Sequence, residues 1–164
     1  MMIGYRSGFG YDIHGLKPDP CGRLIIGGTV IVQGVRAQAH SDGDALIHSL
    51  IDAILGALGA GDIGEFFPDN DEQYKNISSL VLLKRILPLI RKKKAVVVNI
   101  DSTIVLQEHK LTPFKEAMKR SIAATLELCV DQINIKAKTK EGFDASGRGE
   151  SVEAYSAVLL YIDK

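Results

Sequence analysis

The segment His40–Asp71, HSDGDALIHSLIDAILGALGAGDIGEFFPDND, constrains the fold more than any other stretch of the chain. Leu46, Ile47, Leu50, Ile51, Ile54, Leu55 and Leu58 recur at steps of three and four, which is the apolar stripe of a helix. Ser41 with Asp44 three residues on reads as an N-terminal capping box. Gly59 and Gly61 read as the helix exit, where the chain leaves through a left-handed conformation. Asp44, His48 and Asp52 are four apart and stack along one edge of the stripe. A histidine there is either a buried imidazole satisfied by a neighbouring carboxylate or a member of a ligand set. His40 at the helix entrance and a second acid–histidine pair upstream favour the ligand set.

That second pair is Asp12 and His14 in SGFGYDIHGLKP. Phe9 and Tyr11 alternate with Gly10 and Asp12 as on a strand, and the pattern breaks at Gly15 and Pro18. Residues two apart on a strand share a face, so Asp12 and His14 can present a carboxylate oxygen and an imidazole nitrogen to one point. With His48 they form a two-histidine, one-carboxylate set. Such a set leaves a tetrahedral zinc one open position, the pattern of a catalytic rather than a structural ion.

The rest of the chain reads as a frame for this group. Leu24–Ile26 and Val30–Val32 are strand segments around a bend at Gly27-Gly28, with no chemistry of their own. The acidic loop after the central helix is pinned by Phe66-Phe67-Pro68. A second helix spans Ser78 to Lys94, with Pro88 breaking or kinking it and a solvated basic run at its end. Ala95 to Gln107 is apolar almost throughout, which predicts a strand covered on both faces. Thr112 reads as the cap of a third helix with Pro113 at its first position and Met118, Ile122 and Leu126 inward. Strands at Ile133–Thr139 and Ser151–Ile162 flank the glycine-rich loop KTKEGFDASGRGES. That loop is either a plain connection or a phosphate-binding loop built on Thr139, Glu141 and Arg148. Glu141, a hard oxygen ligand, suits magnesium or manganese on a diphosphate. The element order implies an α+β fold, a mixed β-sheet with helices packed on one face, and one domain over residues 1–164.

Composition narrows the function. Twenty basic and twenty acidic residues give zero formal net charge, which argues against a non-specific nucleic-acid or anionic-membrane binder. Cys21 and Cys129 stand apart, so neither a disulfide framework nor a thiolate zinc site is expected, and a reducing compartment fits. No apolar run reaches the roughly 18 residues of a membrane span. The expected location is cytoplasmic, or the plastid stroma if a transit peptide has been removed.

At GYDIHG, AHSDGDALIHSLIDAILGALGAGDIGEFFPD and SGRGE the sequence resembles the 2-C-methyl-D-erythritol 2,4-cyclodiphosphate synthases, the cyclases of the non-mevalonate isoprenoid pathway. The resemblance runs from the first strand to the last. It implies a homotrimer with active sites between subunits and a lyase that cyclises 4-diphosphocytidyl-2-C-methyl-D-erythritol 2-phosphate with release of CMP. It also implies zinc on Asp12, His14 and His48, and a second divalent cation, magnesium or manganese, on Glu141. His40 and Ser41 then bind the methylerythritol phosphate end. His40 and Thr139 are the expected catalytic stabilisers, and Thr139 holds the diphosphate. Asp62 and Gly64 bind the ribose, and Ile63 belongs to the substrate site. Phe67, Pro68, Asp69, Asn70 and Asp71 cover the substrate. Leu106, Lys110, Leu111 and Thr112 belong to the cytosine pocket, and Arg148 to the substrate site. Asp12 and His14 also touch substrate.

The family's loop T-T-T-E here reads Lys138-Thr139-Lys140-Glu141, and a phenylalanine expected before Arg148 is Ala145. In the family that phenylalanine lines a cavity on the trimer axis that can take an isoprenoid diphosphate. The two lysines either strengthen phosphate binding or face solvent. Two other readings stay open: a metal-dependent nucleotide hydrolase on the same scaffold, and a non-catalytic trimeric module with a structural metal.

Overall fold

The computed structural model describes residues 4–162. Five strands make one mixed sheet in the order β2-β1-β5-β3-β4. They are β1 (Gly4–Ile26), β2 (Thr29–Ala37), β3 (Ala95–Val105), β4 (Ile133–Lys138) and β5 (Ser151–Ile162). All neighbours are antiparallel except β3 and β4, which run parallel. Parallel neighbours need a crossover. The segment between them carries a 3-10 turn at Thr112–Phe114 and a helix that is α5 below.

Along the chain the helices are α1 (Ala45–Leu58), α2 (Ile63–Phe66), α3 (Ser79–Arg85), α4 (Leu87–Lys92), α5 (Lys115–Leu126) and α6 (Asp144–Gly147). The expected Ser78–Lys94 helix is two helices, because Pro88 falls in the first turn of α4 and cannot continue the α3 ladder. The very short α2 and α6 have too few residues for any apolar period to announce them.

α1 is the centre of the core. Leu46, Ile47, Leu50, Ile51, Ile54 and Leu55 are fully buried, with the helix packed between the sheet and α3. Its backbone lies directly on β1. A Cβ at Gly8 would sit 1.8 Å from the Ala53 carbonyl oxygen, and one at Gly10 2.0 Å from that of Ser49. Glycine at these two positions is a packing requirement that seats α1 on the strand carrying Asp12 and His14. Below the helix, Ser49, Ser102 and Ser156 join α1, β3 and β5 through buried hydroxyl contacts of 2.8 and 2.9 Å.

Four expectations are corrected. β1 does not end at Gly15 and Pro18; it continues to Ile26, with a register irregularity between Pro18 and Arg23 that absorbs the proline. β3 is not covered on both faces: Val96 and Val98 are exposed, and the helices cover only the opposite face. Thr112 does not cap α5; Leu111 holds the cap position of the preceding 3-10 turn, with no side-chain hydrogen bond. Ser41 does not cap α1; Asp44 does, accepting the Ile47 N–H at 3.1 Å. The helix does exit through Gly59 in the left-handed region.

Candidate metal and substrate site

The three acid and imidazole positions along α1 each hold a different part of the site. Asp44 also accepts the backbone N–H groups of Gly27 (2.8 Å) and Gly28 (2.6 Å). These glycines form the β1–β2 turn at φ 59° and 70°, the two positive values such a tight hairpin needs. Asp44 therefore ties the helix entrance to the hairpin. Asp52 accepts the Ile63 N–H at 2.7 Å and so fixes the start of α2. His48, between them, points at the middle of β1.

There Asp12, His14 and His48 converge. Asp12 Oδ2 lies 2.9 Å from His14 Nε2 and 3.1 Å from His48 Nδ1, and the two nitrogens are 3.0 Å apart. Zinc with ligand atoms at about 2.1 Å in a tetrahedron sets them about 3.4 Å from one another, so this donor set fits a zinc-sized cation. Burial alone pushes the Asp12 carboxyl up, but hydrogen bonds and charge from His14 and His48 outweigh it and hold it well below the usual carboxylate range. Burial disfavours the charged His48 ring, and the Asp12 contact outweighs that and raises its pKa.

The three groups form part of the wall of a cavity of about 540 Å³. Of the expected residues, His40, Ser41, Ile63, Gly64, Phe67, Pro68, Asp69 and Asn70 also line it. His40 Nε2 donates to the Asp71 carbonyl at 3.1 Å, which joins the helix entrance to the covering loop. Phe67 meets Tyr74 edge-on with centroids 5.5 Å apart, so that loop is anchored as its aromatics predict, while Phe66 stays largely exposed. Asp62 caps α2 through the Glu65 N–H at 3.0 Å. Ala39, Tyr74 and Leu82 also line the cavity and carry no chemical signal in the sequence.

The other expected residues are not among those lining this cavity. Leu106 lines a separate small cavity with Glu108 and His109. Leu111 is buried, and Lys110 and Thr112 are exposed. Thr139 donates to Glu141, both exposed, and Arg148 pairs with Glu150 at 2.9 Å. Lys140 neither faces solvent freely nor stands open to a phosphate. It pairs with buried Glu153 at 2.8 Å and with Asp144 at 2.9 Å, and Tyr155 donates to Glu153 at 2.6 Å. Burial would raise the Glu153 carboxyl, but the hydrogen bonds from Lys140, Ser146 and Tyr155 and the Lys140 charge together outweigh it and hold it below the usual range.

A mixed-sheet α+β domain with a candidate His/Asp metal triad in the wall of a 540 Å³ cavity is the class that the fold and site define. The particular family follows from comparison. A model of the YgbB family matches residues 5–161. The 2-C-methyl-D-erythritol 2,4-cyclodiphosphate synthase of Clostridium acetobutylicum is 47% identical over 155 residues, covering 94% of this chain and 99% of its own. The bifunctional IspDF of Campylobacter jejuni superposes with a TM-score of 0.94 at 40% identity over 99% of this chain, which spans only 44% of that longer protein. The IspF–CDP complex of Plasmodium falciparum gives 0.85 at 34% identity over 98% of each chain. The chain belongs to the YgbB family of cyclodiphosphate synthases and is an enzyme, a phosphorus–oxygen lyase. Among the described residues no helix is long and apolar enough to cross a membrane.

Proposed function

We propose that the enzyme converts 4-diphosphocytidyl-2-C-methyl-D-erythritol 2-phosphate to the 2,4-cyclodiphosphate and CMP in a metal-dependent reaction. The observation that carries this reading is the convergence of Asp12, His14 and His48 at the wall of the 540 Å³ cavity. A phosphate monoester has a second pKa near 6, so at pH 7 the 2-phosphate is largely dianionic and needs no strong base. Its oxygen forms a bond to the β-phosphorus. The bond from β-phosphorus to the bridging oxygen breaks, and that electron pair leaves on CMP. Both reacting groups belong to one molecule, so the protein's task is to bend the substrate and offset crowded charge.

Asp12, His14 and His48 would hold zinc, which when bound supplies a Lewis acid at the β-phosphate. His40 and Ser41 orient the methylerythritol phosphate, with His40 stabilising charge in the transition state. Asp62 and Gly64 receive the ribose, Ile63 belongs to the substrate site, and residues 67 to 71 exclude water above it. Thr139 holds the diphosphate as the second stabiliser, and Glu141 would hold magnesium or manganese, which when bound offsets the diphosphate charge.

The working form is a homotrimer with sites between subunits. Leu106, Lys110, Leu111, Thr112, Thr139, Glu141 and Arg148 complete the cavity from a neighbouring copy. Two features support this: these residues do not line the cavity of their own chain, and one sheet face carries exposed Tyr5, Phe9, Tyr11, Val96 and Val98. Residues 1–164 act as one domain, and the neutral charge and unpaired cysteines support a cytoplasmic setting.

Phosphorus NMR of the purified protein with this substrate, zinc and magnesium tests the reaction. A cyclic diphosphate appearing in step with CMP is expected. CMP with an uncyclised product would make the protein a hydrolase. Zinc bound without turnover would sink both readings.

A further inference from the structure

Beneath the glycine-rich loop lies a buried ion pair that the proposed reaction does not use. Lys140 Nζ donates to Glu153 Oε1 at 2.8 Å and to Asp144 Oδ2 at 2.9 Å. Glu153 stands on β5 with only 3% of its surface exposed. Its remaining acceptor positions are filled: the Ser146 hydroxyl donates to Oε1, and Tyr155 donates to Oε2 at 2.6 Å. The Tyr155 ring is held in turn against Tyr11, with centroids 4.9 Å apart. A buried ion pair typically adds little net stability over neutral side chains of like volume. What this one supplies is a fixed place for Lys140.

The backbone that starts at Lys140 is a tight turn under strain. The Phe143 N–H donates to the Lys140 carbonyl at 2.9 Å, and the two residues between them, Glu141 and Gly142, have φ of 51° and 84°. Two positive values are the pattern of a type I′ turn, which Gly, Asn and Asp dominate. Gly142 suits it; Glu141 has neither glycine's freedom nor a short polar side chain. Asp144, at φ 56°, is a second non-glycine residue in the left-handed region. Such residues persist only where their surroundings over-determine them. Three contacts do so here. Lys140 Nζ bridges Glu153 and Asp144 across the turn. The Lys140 backbone N–H donates to Gln107 Oε1 at 3.2 Å. Gly142 lies so close on α6 that a Cβ at Gly147 would meet its carbonyl carbon at 2.5 Å. While Lys140 reaches inward, its neighbours Thr139 and Glu141 are exposed and hydrogen-bonded to each other.

We infer that Lys140 and Glu153 are positioning residues: their ion pair locks the turn from Lys140 to Phe143 and so presents Thr139 and Glu141 together to the diphosphate and its divalent cation. The inference rests on the roles proposed above for Thr139 and Glu141, and its test separates the two. The test protein carries Lys140→Met together with Glu153→Gln, which removes both charges at once and leaves no buried charge unpaired. Its melting temperature should stay near that of the wild type. Hydrogen exchange read by NMR should show the Phe143 amide losing its protection while the amides of β5 keep theirs. Manganese affinity of the CDP complex, titrated by electron paramagnetic resonance, should fall about 10- to 100-fold, as when a partner that orients a metal ligand is lost. Turnover should fall with it, and zinc affinity should not change. Lys138→Met, at an exposed lysine two residues away, should leave the Phe143 amide as protected as in the wild type.

The wild type offers a check that needs no variant to fold. Nitrogen-15 relaxation of its lysine ammonium groups should find Lys140 Nζ restricted and Lys138 Nζ mobile; equal mobility overturns the inference. So does a Phe143 amide equally protected in the double variant, or a turn that opens with no loss of manganese affinity. A wild type that binds no manganese with CDP, while the Phe143 amide still responds in the double variant, would keep the lock and reject the cation site proposed at Glu141.

Discussion

Asp44 shows how much one side chain at this site must do. It is fully buried, caps α1 and holds the Gly27-Gly28 turn through three backbone N–H groups. Burial pushes its carboxyl up to about 6, with the Asp42 charge adding to the rise and the three N–H bonds opposing it. An unfolded aspartate releases its proton near 3.9. Between these values the folded chain keeps a proton that the unfolded chain has lost. The stability from this group is therefore complete below about pH 4 and is lost as pH rises through about 6. In Asp44→Asn one oxygen can still serve Gly27 and Ile47, but the amide faces the Gly28 N–H. The variant should lose about 1–3 kcal/mol, and the gap to wild type should narrow from pH 4.5 to pH 7.5. Urea titrations of both proteins across that range read this directly; a gap independent of pH would mean that Asp44 does not titrate there. At His48 the prediction concerns chemistry instead. His48→Ala should cut turnover by about 10²–10³-fold or more while the far-ultraviolet circular dichroism stays that of wild type. Chelation should do the same to the wild type, reversed by added zinc.

At the scale of elements, the seating of α1 on β1 decides whether the triad exists. Gly10→Ala would drive a methyl carbon to 2.0 Å from the Ser49 carbonyl and 2.7 Å from the Ala53 nitrogen, both backbone atoms that cannot swing aside. Overpacking of this kind costs about 1–3 kcal/mol or more. Ser49 follows His48, so the helix would carry the imidazole away from Asp12 and His14. Melting temperature and zinc affinity should fall together, whereas Gly4→Ala, with nothing within 4 Å of the new carbon, should change neither. A Gly10→Ala protein that melts lower but binds zinc as before would detach the site from this contact.

The row Asp44, His48, Asp52 and the pair Asp12, His14 were legible in the sequence because helix and strand periods fix which side chains share a face. The cap was misread for a definite reason. Ser41, Asp42 and Asp44 can all cap a helix. Distant partners sort them: the hairpin turn claims Asp44, Ser79 claims Asp42, and His48 draws Ser41. The Lys140–Glu153 pair was hidden likewise, since nothing local marks Glu153 as buried in a strand whose first four residues are all buried.

At the scale of the molecule, β3 explains the remaining misreading and makes the last prediction. Its apolar run signals two covered faces, and in one chain only one is covered. Cross-strand registers put Tyr5 with Tyr161, and Tyr161 with Val96; they put Tyr11 with Tyr155. Paired residues share a face, so these aromatic and branched side chains form one continuous apolar patch on the side without helices. The rings of Tyr11 and Tyr155 are 4.9 Å apart and those of Tyr5 and Tyr161 5.7 Å, but Phe9 remains 68% exposed in the single chain. A contiguous patch of this kind marks an interface, and in the proposed homotrimer the sequence signal of a doubly covered strand would be satisfied by another copy. Native mass spectrometry should find three times the 17.8 kDa of one chain. Phe9→Glu should leave the monomer fold intact, since the side chain has little packing to lose there, and should split the assembly. Activity should fall with it, because Thr139 and Glu141 would no longer reach a cavity built by Asp12, His14 and His48 of another copy. Mixing Phe9→Glu chains with chains of wild type should restore neither trimers nor turnover in proportion to the variant fraction. A wild type that runs at 17.8 kDa and still turns over would refute the shared site altogether.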